Sequence, residues 1–152
     1  MKKITKILTA IDFSDSSDNA FEMALSMAKS FSAQLLVMHV INEPVDLRGF
    51  YVPHISFEKI EEEIEAGAQK MMESFCQRNI KDFTNFKSII VNGLPHEQIT
   101  AQASEKGVDM IVIGTNGRTG LDHILFGSTA EKVVRKSKVP VLTVRLEEET
   151  SS

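Results

Sequence analysis

The residues with the plainest chemistry are Gly114-Thr115-Asn116-Gly117 and, after a nine-residue span, Gly127-Ser128-Thr129. Two glycine-bearing turns at that spacing suit a phosphate. Glycine admits positive φ and close approach of a ligand, so successive N–H groups can face one anion. A helix starting near Gly127 would add its free N–H donors and the positive end of its dipole, and the hydroxyls of Ser128 and Thr129 would add to them. The pattern lacks the Lys-Ser or Lys-Thr of a P-loop and the glycine spacing of a dinucleotide fingerprint. Arg118 and His123 in the intervening span could neutralise phosphate charge, and solvent-facing loop positions account for them equally well.

A second cluster, Asp12-Phe13-Ser14-Asp15-Ser16-Ser17, is rich in helix N-caps. Asp12 could orient its own turn, cap the helix that follows, or meet a ligand; the glycines downstream favour the ligand. A reaction is not visibly encoded, because no serine has a recognisable base and orienting group. His39 lies in an apolar strand and reads as a hydrogen-bonded structural residue, while His54 and His96 have no partner at metal-ligand spacing. Lone Cys76 excludes an internal disulfide and sits among Met71, Met72 and Phe75 as a small apolar residue.

The elements that must position these groups alternate. Ile4, Ile7, Leu8, Ala10 and Ile11 form a strand ending at Asp12, and Ala20, Phe21, Ala24, Leu25, Ala28 and Phe31 give a helical stripe. Residues 35–41 form a nearly unbroken apolar strand, and 42–56, with Pro44, Gly49 and Pro53, a long loop. Phe57, Ile60, Ile64, Ala68, Met71, Met72 and Phe75 mark a longer helix whose glutamates form a solvated face. A strand over 86–91 precedes a helix framed by Pro95 and Gly107, with Ile99, Ala101 and Ala103 on its apolar side. Residues 110–113 are the most apolar strand and the expected sheet centre; a helix through Ala130, Val133 and Val134 and a strand over 139–145 follow. Pro140 fits an edge position for that last strand. Five strands alternating with four helices make a doubly wound α/β domain, a five-stranded parallel sheet with helices on both faces. Ligands of such sheets bind beyond the strands' carboxyl ends at the reversal of strand order, where the turns after Ile11 and Ile113 would meet.

The 152 residues, 42% hydrophobic and 25% charged, suffice for one domain with its own core. No apolar stretch is long enough to span a membrane, and no secretory pattern stands at the start, so a cytoplasmic protein is expected. A net charge of -4 without a basic tract argues against nucleic acid.

The glycine spacing, the opening strand 6–14 with its terminal aspartate, Leu36-Val37-Met38-His39-Val40 and the closing strand 139–144 together resemble the ATP-binding branch of the universal stress protein family. The resemblance implies strand order 3-2-1-4-5, a nucleotide-binding domain over 1–146 and a polar tail over 147–152. It implies ATP as ligand, with Mg2+ held mainly through the phosphates. Asp12 and the backbone at Val40 would meet adenosine, and Gly114, Gly117, Gly127, Ser128 and Thr129 ribose and phosphates, with Ile11, Thr115 and Arg118 beside them. It implies a homodimer joined through Val141, Leu142, Thr143, Val144 and Arg145, and a regulatory stress-response role read by a protein partner. A weak ATPase or phosphoryl-transfer enzyme using the same cradle is the alternative from another class; a nucleotide-free, chaperone-like module fits less well because the glycine pattern is intact.

Overall fold

The computed structural model describes residues 2–42, 57–115 and 127–146. The expected loop from 43 onward, Gly117, Arg118, His123 and the tail over 147–152 lie outside the described residues. Strands and helices alternate as β1 (Lys6–Ala10), α1 (Asp15–Phe31), β2 (Gln34–Ile41), α2 (Phe57–Asn79), β3 (Phe86–Asn92), α3 (Pro95–Glu105), β4 (Met110–Gly114), α4 (Ser128–Lys136) and β5 (Val141–Val144). The strands lie in the order β3-β2-β1-β4-β5, and every neighbouring pair is parallel. The order reverses between β1 and β4, which puts the ends of these two strands on either side of one crevice. The sheet centre is β1 rather than β4, a correction to the reading from apolarity. Lys6 and Thr9 dilute the β1 sequence, yet Ile7, Leu8 and Thr9 are all fully buried.

Alternate side chains on each strand point to opposite faces. Ile7, Val37 and Val112 pack with Phe21 and Ala24 of α1 and Met72, Phe75 and Cys76 of α2. Leu8, Met38, Ile111 and Ile113 pack with Ile99 and Ala103 of α3 and Val133 of α4. Both faces are covered, which is why the strands read as continuous apolar runs. Burial pushes the Cys76 thiol up, in keeping with an apolar core role. The helical stripes are narrower than their sequences suggest: Phe31, Ala101 and Val134 are exposed. In α2 the core contacts come from Ala68, Met72, Phe75 and Cys76, whereas Ile64 and Met71 stand out from it.

The amino end of the sheet is tied by Asp109, whose carboxylate accepts hydrogen bonds from the Thr5 N–H at 2.8 Å, the Thr5 hydroxyl at 3.0 Å and the Lys6 N–H at 3.1 Å. Gly107, at φ 63°, ends α3 in the left-handed conformation that the sequence position suggested, and the Val108 N–H closes back on the Ala103 carbonyl. β5 is shorter than expected. It starts after Pro140, whose carbonyl accepts from the Ile111 N–H, and Arg145 falls beyond it with its carbonyl taken by the Asn19 side chain.

Candidate functional site

A cavity of about 660 Å³ opens at the carboxyl end of the sheet. Ile11, Asp12, Val40, Gly114, Thr115, Gly127, Ser128 and Thr129 all line it, so the residues selected from sequence within the described chain converge on one place.

The wall below Asp12 is a tightly bonded turn. The Ser14 N–H donates to Asp12 Oδ1 at 3.0 Å, and the Asp12 N–H donates to Ser17 Oγ at 3.2 Å. Ser14 caps α1 by accepting from the Ser17 N–H at 3.3 Å. Asp12 therefore does orient its own turn, and it does so from the cavity wall. Phe13 pays for the sharpness of this turn with a φ of 64°, a left-handed conformation that costs a non-glycine residue on the order of 1 kcal/mol. Ring packing holds it there: the Phe13 ring centroid lies 4.7 Å from that of His39 and 6.1 Å from that of Phe75.

Across the crevice the glycines serve two different purposes. Gly114 is not in the left-handed region; it is glycine because α1 passes so close that a Cβ would stand 2.5 Å from Ser16 Oγ and 2.7 Å from the Ser16 carbonyl oxygen. Packing against α1 thus requires a glycine at a position that also lines the cavity. Thr115 then links three elements, its N–H donating to Val144 at 3.1 Å and its carbonyl accepting from the Gly127 N–H. Gly127 is the N-cap of α4, extended at φ -68° and ψ 160°, again without positive φ. No side chain caps α4, so the first-turn N–H groups at Ser128, Thr129 and Ala130 have no partner from an N-cap side chain. With the dipole's positive end, this is the arrangement that receives an anion.

Sequence reasoning overlooked the opposite wall. His39 was expected to be hydrogen-bonded, and its Nδ1 does lie 2.8 Å from the Ile11 carbonyl oxygen; it also lines the cavity. From α2 come Ile64, Gly67, Ala68 and Met71. Their i, i+3, i+4, i+7 spacing was the available signal, hidden because Ile64, Ala68 and Met71 merge with the core stripe in a one-dimensional reading. Among the described residues no three His, Cys, Asp or Glu side chains lie together in a way that could hold a metal.

A parallel sheet with a reversal crevice, an uncapped helix start and an aspartate on the facing turn defines a doubly wound α/β protein. The chain belongs to the universal stress protein family, whose family model matches residues 3–145. It is 37% identical over 145 residues to universal stress protein YxiE of Bacillus subtilis, covering 92% of this chain and 98% of that one. To universal stress protein MJ0577 of Methanocaldococcus jannaschii it is 35% identical over 157 residues, covering 92% and 94%. Among solved structures, universal stress protein UspA from Lactobacillus plantarum superposes with a TM-score of 0.79 at 25% identity, covering 95% of this chain and all of that one. No helix of the described residues is long and apolar enough to cross a membrane.

Proposed function

We propose that this chain is a nucleotide-dependent regulatory protein of the cytoplasm that binds ATP as a homodimer. The observation that carries the reading is the uncapped start of α4 at Gly127, opening into the same cavity as Asp12 and Val40. The residues fit the ligand: first-turn N–H groups and the Ser128 and Thr129 hydroxyls suit phosphates, and an apolar wall around Val40 suits a base. Among the described residues Asp12 is the one carboxylate that lines the cavity, so Mg2+ would be held chiefly by the phosphates. The same fold in a universal stress protein solved in complex with cAMP, 23% identical with a TM-score of 0.60, is a similarity of architecture.

Binding rather than turnover is the activity, because efficient hydrolysis needs a positioned water and charge stabilisation at the γ-phosphate beyond a cradle. Dimerisation is proposed through β5. Pro140 and Val144 direct their carbonyls to β4, so by alternation the backbone groups of Val141 and Thr143 face the outer edge. A second copy pairing there would cover that edge. The test is to denature freshly purified protein, identify any released nucleotide by mass, and titrate with Mg-ATP if none appears. Co-purified ATP or ADP, or saturable binding, supports the reading; no nucleotide and no binding overturns it. ATP left intact on long incubation is expected, and product above a Gly127→Val control would favour the ATPase instead.

A further inference from the structure

We infer that the acidic run Glu147-Glu148-Glu149 docks on Lys136 and Lys138 of a second copy of this chain, so that two such contacts clasp the dimer at the ends of its β5 pair. This rests on the dimer proposed above and adds what selects the partner and what loosens it.

Lys136 is in the last turn of α4 and Lys138 in the turn that leads to β5, and both are exposed. Ser137 shapes this turn: its hydroxyl donates to the Val139 carbonyl at 2.7 Å and accepts from the Val139 N–H at 3.1 Å. A lysine in the last turn of a helix answers the negative end of the dipole, which accounts for Lys136. Lys138 is outside the helix and has no such role. Neither ammonium has an ion-pair partner among the described residues, whereas neighbouring Arg135 is taken by Glu131 at 2.9 Å.

The β5 edge decides what can face these lysines. Its outer backbone groups belong to Val141 and Thr143, and two copies of one strand edge related by a two-fold axis pair antiparallel. Whether Thr143 stands opposite the partner's Thr143 or the partner's Val141, positions 147 and 148 of the partner come to positions 136–139 of this chain. The three residues that follow Leu146 in sequence are all glutamates. Symmetry makes the contact twice, once at each end of the strand pair. Each copy carries a net charge of -4, so at a distance the two repel. Attraction therefore has to be local, and opposite charges at both ends of the joint supply it. β5 has only four residues, so the ladder it can form with a copy is short and contacts at its ends weigh heavily. Exposed ion pairs are screened by salt, which makes the dimer loosen as ionic strength rises.

The dimer dissociation constant of the full chain is measured by analytical ultracentrifugation. Wild type is expected to dimerise about tenfold more weakly at about 500 mM than at about 50 mM NaCl, because exposed pairs lose most of their attraction as the Debye length shrinks. At the lower salt, Lys136→Glu with Lys138→Glu is expected to weaken the dimer by at least about tenfold, and Glu147→Lys, Glu148→Lys and Glu149→Lys together to do the same. All five substitutions in one chain are expected to restore the wild-type affinity, since the same charges then face each other with their signs exchanged. The glutamate substitutions follow β5 in sequence, so they still decide the matter if the lysine variant does not fold. A dimer indifferent to salt or to either charge reversal, or a five-substituted chain that dimerises no more tightly than either set alone, overturns the inference and leaves the β5 pairing standing. A wild type that stays monomeric at every concentration tested in low salt removes the dimer and the clasp together.

Discussion

Helices α1 and α4 start at the same rim of the sheet, after the neighbouring strands β1 and β4, and treat their first-turn N–H groups in opposite ways. At α1, Ser14 Oγ accepts from Ser17, Asp12 Oδ1 accepts from Ser14, and the Ser17 hydroxyl donates to the Ser14 carbonyl. At α4 the N-cap is Gly127, which has no side chain with which to do the same. A donor satisfied by a cap stabilises the fold by about 1 kcal/mol, whereas one left to an anion contributes only when the anion is present. Composition does not separate these two starts, since both are built from small polar residues. What separates them is the side chain at one position.

The largest effect is expected at Gly114, which the α1 side of this comparison requires. Gly114→Ala should destabilise the fold by about 3 kcal/mol, because the new methyl meets Ser16 backbone that cannot move without shifting α1. Urea unfolding measures it, and a loss below about 0.5 kcal/mol would show that the close approach is easily relaxed. Next comes Gly127→Asp. Aspartate is as good an N-cap as any, so Tm should hold or rise slightly, while a carboxylate at the anion position should weaken nucleotide binding roughly a hundredfold. Undiminished binding would erase the distinction between the two helix starts. Ser14→Ala should do the reverse, costing about 1 kcal/mol of stability in urea unfolding while leaving affinity for Mg-ATP in the same titration unchanged.

Strand and helix order was legible because both sheet faces are covered and each helix carries its own stripe. The site was legible where spacing along the chain coincides with nearness in space, as from Asp12 to Ser17 and from Gly127 to Thr129. It was not legible where one residue type serves different ends. Gly114 and Gly127 look alike in sequence, yet one is set by a neighbouring helix and the other by the absence of a cap. The α2 wall was hidden for a related reason: Ile64 and Met71 have the hydrophobicity and spacing of core residues, and only the orientation of the helix on the sheet sends them to the cavity. The sheet centre was misplaced because β2, β1 and β4 each have a neighbour on both sides and are buried alike, so apolarity does not tell which of them is the middle strand.

The smallest effect sharpens the comparison from the opposite end of the sheet. Asp109 shows a closed arrangement like that at α1: the Thr5 N–H, the Thr5 hydroxyl and the Lys6 N–H all bond its carboxylate. The Thr5 N–H foremost, helped by the other two and by nearby Lys2, holds the Asp109 carboxyl below its usual range, against a smaller opposing effect of burial. A carboxylate with a lowered folded-state pKa contributes stability above its unfolded value, near pH 4, and loses it as pH falls through the folded value. Asp109→Asn should therefore be slightly less stable than wild type at neutral pH, with the difference shrinking as the pH is taken below about 4. The effect is small because this carboxylate is near solvent and screened by salt. Urea unfolding of both proteins at pH 7 and pH 3 measures it. Nucleotide binding should not change, since Asp109 is at the amino end of β4 and the cavity at its carboxyl end. A pH-independent difference would mean that shape rather than charge ties the two segments. A loss of nucleotide affinity in Asp109→Asn would mean that tightening one end of β4 sets the position of Gly114 and Thr115 at the other, and the two ends could no longer be treated as separate.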